Sequence, residues 1–149
     1  VDGVGPAAWA TRPESPDLTL DGQPRIVPLR VDSDHHVSSR DPDPRGKPVT
    51  GCDGVQGGTV VDLWVDRAEP HFRYAEVDVG EHTVLLPMTM ARVSKDGSVK
   101  VKSIRGDQFK QVPRLANSDQ VTLQEEDKIA AFYGGGTLYA MPDRMGPLL

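Results

Sequence analysis

Thr59-Val60-Val61-Asp62-Leu63-Trp64-Val65-Asp66 decides the fold class. It is dense in β-branched and aromatic residues, which suit a pleated, half-buried surface and lose rotamer freedom in a helix. The following stretch, Phe72-Arg73-Tyr74-Ala75-Glu76-Val77-Asp78-Val79, alternates apolar with polar, the period of a strand with one face in a core. His82-Thr83-Val84-Leu85-Leu86-Pro87-Met88 and Ser98-Val99-Lys100-Val101-Lys102-Ser103-Ile104 continue the set. Turn residues separate the runs: Gly57-Gly58, Val79-Gly80-Glu81, and Lys95-Asp96-Gly97-Ser98, which has the form of a short hairpin turn. About five or six short antiparallel strands of this kind predict a mainly β fold, a small barrel whose closure removes exposed edges. The barrel core is placed at residues 49–115.

The chain on either side reads differently. Residues 1–48 are interrupted by Pro6, Pro13, Pro16, Pro24, Pro28, Pro42, Pro44 and Pro48, each of which lacks an N–H and clashes with a preceding helical turn. Short apolar runs such as Arg25-Ile26-Val27-Pro28-Leu29-Arg30-Val31 fit an extended segment laid over another surface and ordered by a partner. Residues 116–149 hold one helix, predicted over 118–134, and a loosely held tail of the same domain. Thr122-x-x-Glu125 has the form of a capping box, with Ser118 as the alternative N-cap. Glu125, Glu126 and Asp127 place negative charge at the positive end of the helix dipole, and Gly134 is positioned to end the helix in a left-handed cap.

Composition narrows the function. Seventeen basic and 22 acidic residues give a net charge of −5, which argues against non-specific nucleic-acid binding. The single cysteine, Cys52, allows no internal disulfide and reads as a small buried residue. No segment reaches the roughly 20 apolar residues of a bilayer span. The chain starts at Val1, and is expected to be a fragment, a processed product or the ordered part of a longer chain.

Few residues suggest chemistry. His35-His36 with Asp32 and Asp34 could form a surface metal site, but adjacent side chains diverge and zinc-ligand spacing is absent; a solvated loop is the simpler reading. Gly134-Gly135-Gly136 lacks the Lys-Ser/Thr of a phosphate loop and follows a helix instead of opening one. There is no supported Ser-His-Asp or Cys-His arrangement and no nucleotide fingerprint. Asp66, Glu69 and Arg73 flank a predicted chain reversal that brings carboxylates and a guanidinium together. Such a cluster can hold or relay a proton, and a solvated polar turn is the alternative.

The residues resemble a known family along nearly the whole chain. Val1-Asp2-Gly3-Val4-Gly5-Pro6-Ala7-Ala8-Trp9, Arg25-Ile26-Val27-Pro28-Leu29-Arg30, Val60-Val61-Asp62-Leu63-Trp64-Val65-Asp66, Leu85-Leu86-Pro87-Met88, Val121-Thr122-Leu123-Gln124-Glu125-Glu126-Asp127-Lys128-Ile129 and Gly134-Gly135-Gly136-Thr137-Leu138-Tyr139-Ala140 are similar, in order, to the H subunit of purple-bacterial photosynthetic reaction centres. The resemblance implies a PRC-type barrel, preceded by an extended segment and followed by a helix. It implies a non-catalytic subunit capping the cytoplasmic face of the L and M subunits at the photosynthetic inner membrane, with antenna and membrane lipid as further contacts and no nucleic acid. The family's transmembrane helix lies in an N-terminal stretch absent from this chain. This chain is expected to bind no cofactor or metal directly; bacteriochlorophyll, bacteriopheophytin, quinones and a non-haem iron belong to the complex.

By position, Asp66, Glu69, Arg73 and Glu126 look like the family's polar network below the secondary quinone, and Asp21 like part of its surface proton-uptake point. One departure stands out. The histidine pair some members carry at that point is missing from the corresponding stretch, Leu20-Asp21-Gly22-Gln23-Pro24-Arg25. The alternative reading is a soluble PRC-barrel adaptor for ribosomal or RNA-processing partners. A small metal-dependent enzyme using His35 and His36 is a third.

Overall fold

The structure, a computed structural model, describes residues 14–32 and 34–139. Seven strands form one curled mixed sheet: β1 (Ile26–Pro28), β2 (Pro48–Thr50), β3 (Gln56–Asp66), β4 (His71–Asp78), β5 (Thr83–Pro87), β6 (Ala91–Val93) and β7 (Val99–Val101). The order is β5-β4-β3-β2-β7-β6, with β1 also on β3. All these pairings are antiparallel except that of β2 with β7, which is parallel. The result is a mainly β half-barrel of the expected class with one C-terminal helix.

β3 is the spine because the quoted β-rich stretch is long enough to serve three neighbours. One edge carries β4 along most of its length, with bulges between Val60 and Asp62 and between Trp64 and Val65. The other edge carries β2 near its start and β1 at its end. Val60, Leu63, Trp64, Val77, Leu85 and Leu86 are buried at the centre of the core. Ile26 and Val27 of the proline-rich segment are buried too, in a contact internal to this chain.

Gly57 and Gly58 do not form a turn. Both lie inside β3, where a Cβ on Gly57 would come within 2.2 Å of the Phe109 ring and one on Gly58 within 2.4 Å of the Asp78 carbonyl oxygen. They are glycines because neighbours press against the strand. Gly97 does occupy the left-handed region, at φ +92°, in the β6–β7 hairpin turn.

The helix α1 (Leu123–Tyr139) starts as its sequence indicates. The Glu125 N–H donates to Thr122 Oγ1 at 3.0 Å, and the Thr122 N–H donates back to the Glu125 carboxylate at 2.9 Å. Ser118 is not the cap; its carbonyl accepts from Arg30 at 2.5 Å. Tyr133 docks α1 on the sheet by donating to the Leu85 carbonyl at 3.0 Å, while its ring meets Phe109 edge-on at 6.3 Å.

The far end corrects the expected helix boundary. Gly134 has no positive φ, and α1 runs on through the glycine triplet. Glycine permits a left-handed cap without requiring one, and the next residue unable to extend a helix is Pro142. Nothing lies within 4 Å of a Cβ built at Gly134 or Gly135. Replacing either with alanine is therefore expected to stabilise the fold by about 1 kcal/mol, the helix-propensity difference. Thermal denaturation checks this; a lower melting temperature would mean that the helix stops at Gly134 in solution. Residues 1–9 of the family-like stretch and the tail from 141 lie outside the described residues.

Candidate functional site

The sheet register assembles the predicted cluster around Asp66. As the last residue of β3, Asp66 sits between Ile26 of β1 and His71 of β4. Arg25 therefore approaches from one side and Arg73 from the other. Arg25 Nε donates to Asp66 Oδ1 at 2.8 Å, and Arg73 Nη1 donates to Oδ2 at 3.1 Å. The turn that follows folds its own backbone onto the same carboxylate: the N–H groups of Ala68 and Glu69 donate to Oδ1 at 2.9 and 3.1 Å.

Asp66 is 0% exposed, and burial by itself pushes its carboxyl up. The Arg25 hydrogen bond, the Glu69 and Ala68 N–H groups and the Arg25 charge outweigh that, and bring it down to about 2. Asp66 is thus a fixed anion at neutral pH and not a group that loads and unloads protons.

Glu69 lies on the open side, 73% exposed, with its carboxylate 3.9 Å from Arg25. On the inner side, Arg73 reaches the Glu126 carboxylate in the first turn of α1 at 3.6 Å, and the Tyr74 hydroxyl donates to the same carboxylate at 2.6 Å. Burial, then the Glu126 hydrogen bond, pushes the Tyr74 phenol far above its usual range, so it stays a proton-bearing donor. Glu69, Arg25, Asp66, Arg73, Glu126 and Tyr74 form one line of charged and hydrogen-bonding groups from solvent to the foot of α1. A cavity of about 230 Å³ lined by His71, Arg73, Tyr74, Met88 and Ala130 opens beside it.

Asp21 stands apart from this line. It sits in the exposed turn at Thr19–Gln23, where the Thr19 hydroxyl donates to its carboxylate and holds the acid below its usual range. Arg67, which donates to the Pro24 carbonyl at 3.1 and 2.5 Å, supplies charge nearby. No hydrogen bond joins Asp21 to Asp66 or Glu69 among the described residues.

The histidine pair behaves as a loop. His35 Nδ1 lies 3.1 Å from Asp32 Oδ2, and the Asp34 N–H donates to the other Asp32 oxygen at 2.7 Å. Among the described residues, the one group of three possible metal ligands is elsewhere: Asp66, Glu69 and His71 have ligand atoms within 4.8 Å of one another. Two guanidinium groups already hold Asp66, so a divalent ion there would face their charges at close range. Cys52 is half-buried, with its N–H donating to the Ile104 carbonyl at 2.7 Å.

A second buried network has no counterpart in the sequence reading. Arg30 Nη1 donates to Glu76 Oε1 at 2.8 Å and to Asp62 Oδ2 at 3.1 Å. The Trp64 indole N–H donates to the same Glu76 oxygen at 2.9 Å. Asp62 and Glu76 are both buried. Arg30 also reaches Asp119 at 3.1 Å, tying β3 and β4 to the segment before α1.

Residues 36–108 match the PRC-barrel domain family, and residues 1–31 match the N-terminal region of the photosynthetic reaction-centre H chain. The two matches together are those of a reaction-centre H chain that carries a PRC barrel.

An H chain carrying a PRC barrel accounts for the proline-rich segment and the half-barrel in one molecule. The H-chain match implies association with reaction-centre subunits in a membrane-associated complex, and a non-enzymatic part in it. No helix among the described residues is long and apolar enough to cross a membrane. Of the predicted site residues, the structure brings Asp66, Glu69, Arg73 and Glu126 into one network and leaves Asp21 on a separate turn. The sequence reading missed Arg25 and Tyr74 as members of that network. Arg25 was visible as the edge of an apolar run and in the stretch compared with the family's uptake point, and Tyr74 as a core position of a strand.

Proposed function

We propose that this H chain caps the cytoplasmic face of the L and M subunits, supports their assembly, and helps deliver protons to the secondary quinone. The observation that carries the reading is the line from Glu69 to Glu126 in a chain whose N-terminal residues match the reaction-centre H chain. In this reading the bacteriochlorophyll, bacteriopheophytin, quinones and iron stay in the partner subunits, in a purple-bacterial complex.

The roles within the line follow from its geometry. Glu69 is the exposed carboxylate at the solvent end of the line. Asp66, clamped by two arginines, supplies a constant negative charge that holds Arg25 and Arg73 in place. Arg73 links this anion to Glu126, whose carboxylate also takes the Tyr74 hydrogen bond. In this reading protons pass between the glutamates through water along the arginines, and the open cavity beside Arg73 and Tyr74, which neither glutamate lines, admits that water.

Glu69→Gln tests the proposal. The substitution keeps the shape and removes the titratable group. In the assembled complex it is expected to slow the proton-coupled second electron transfer to the quinone severalfold, and to leave the first light-driven charge separation unchanged. Flash absorption kinetics measures both. An unchanged second-transfer rate would make Glu69 a solvated turn residue.

A further inference from the structure

The β6–β7 hairpin and the residues just after it carry a cluster of cations. Arg92 of β6 stands opposite Lys100 of β7 in the register, and Lys102 follows two residues after Lys100, the spacing that returns a strand to the same face. All three are exposed, and none has an ion-pair partner among the described residues. Like charges directly across a strand pair are destabilising, so this arrangement is unfavourable when empty. It also runs against the net charge of −5.

Between these side chains lies a pocket of about 270 Å³, lined also by Thr89, Met90 and Ser103. Ser103 is only 7% exposed, and its hydroxyl is buried without a hydrogen-bond partner. Buried hydroxyls nearly always have one. A serine has three staggered χ1 positions, so this one can turn to meet an acceptor in the pocket.

We propose that this pocket binds a phosphate group, supplied by an anionic lipid headgroup or by free phosphate. Three cations and the Thr89 hydroxyl line the pocket, and the Ser103 hydroxyl becomes a further donor once it turns toward it. A tetrahedral group with several charged oxygens can accept from all of them, whereas a planar carboxylate offers two oxygens and leaves donors unmet. The site does not rest on the proton-delivery reading: it uses none of the charged groups between Glu69 and Glu126, although Thr89 also borders the cavity beside Arg73 and Tyr74.

Calorimetric titration of the full chain with inorganic phosphate at constant ionic strength is the test. Saturable binding at one site is expected. Lys100→Gln should weaken it on the order of tenfold, and Ser103→Ala, which barely alters the fold, by several-fold, as for hydrogen bonds to a charged group. Lys128→Gln, on the exposed face of α1, should change nothing. Vesicles separate the sources. Retention on phosphatidylglycerol but not phosphatidylcholine, lost in Lys100→Gln and competed by phosphate, identifies the lipid headgroup. Phosphate binding without vesicle retention identifies the free ion. The proposal is overturned by the absence of saturable binding, by equal weakening in Lys128→Gln, or by undiminished binding in Ser103→Ala.

Discussion

Arg30→Met is expected to cost this fold roughly 3 kcal/mol, the lower end of what breaking a buried ion pair costs. The methionine fills much of the space of the arginine stem but leaves Glu76 without its cation and Asp62 with only the charge of Arg45, to which it is not hydrogen-bonded. Both carboxylates are buried, and Glu76 keeps only the Trp64 indole N–H as a charge-stabilising donor. Arg30 is itself 38% exposed, so water can enter on its outer side and soften the loss. The tie from Arg30 to Ser118 and Asp119 also goes, which loosens the segment leading into α1. Urea denaturation of the variant measures the loss. Adding Glu76→Gln to Arg30→Met should recover part of it, because the second change removes one of the stranded charges. A loss below about 1 kcal/mol would show that the pair is solvated and behaves as a surface bridge.

That network also shows where sequence reasoning stops. Arg30, Asp62 and Glu76 each looked unremarkable. Asp62 and Glu76 occupied polar positions in alternating strands, where a solvent-facing side chain is the simplest reading. What buries them is the arrival of Arg30 from a segment with no periodic pattern, 46 residues before Glu76. Local propensity cannot carry information over that distance. It carried β3, β4 and β5, whose β-branched, aromatic or alternating apolar residues run the length of a strand, and it carried the Thr122–Glu125 cap, where both partners lie within one turn. Of the four three-residue strands, β7 was legible because the run that holds it extends through Ile104, whereas β1, β2 and β6 are too short for a period of two to register.

The candidate site was legible to a similar depth. Asp66, Glu69 and Arg73 belong to one reversal of the chain, so spacing alone brought them together. Glu126 and Asp21 entered only through family resemblance, and the geometry treats them differently: Glu126 joins the network and Asp21 does not touch it. Arg25 is the strongest partner of Asp66, yet it depends on the β1–β3 register, a pairing between segments about 40 residues apart. Gly57-Gly58 was misread for a related reason. A glycine pair signals a turn when only its neighbours in sequence are considered, but here Phe109 and Asp78 press on it from elsewhere in the fold.

Asp66→Asn should lower stability at neutral pH by roughly 2 kcal/mol or more, and the deficit should depend on pH in one direction. The Asp66 carboxyl is lowered from 3.8 to about 2 in the folded chain. A carboxyl with a depressed folded value stabilises the fold above its unfolded value, and that contribution disappears as pH falls through the folded one. The window is therefore about pH 4 down to pH 2, and the size of the shift corresponds to roughly 2 kcal/mol. Asparagine keeps one carbonyl oxygen for Arg25 and the turn N–H groups. Its amide nitrogen, however, is turned toward Arg73 or toward the donors on the other side, and it carries no charge to offset either guanidinium. The native chain and the variant should differ by a constant amount above about pH 5 and converge toward pH 2, because protonation of Asp66 then removes the same charge from the native chain. Denaturant midpoints measured for both proteins between pH 2 and 7 decide the matter. A difference that stays constant down to pH 2 would mean that Asp66 holds its turn by shape and hydrogen bonding alone, and the fixed anion assigned to the centre of the network would lose its role.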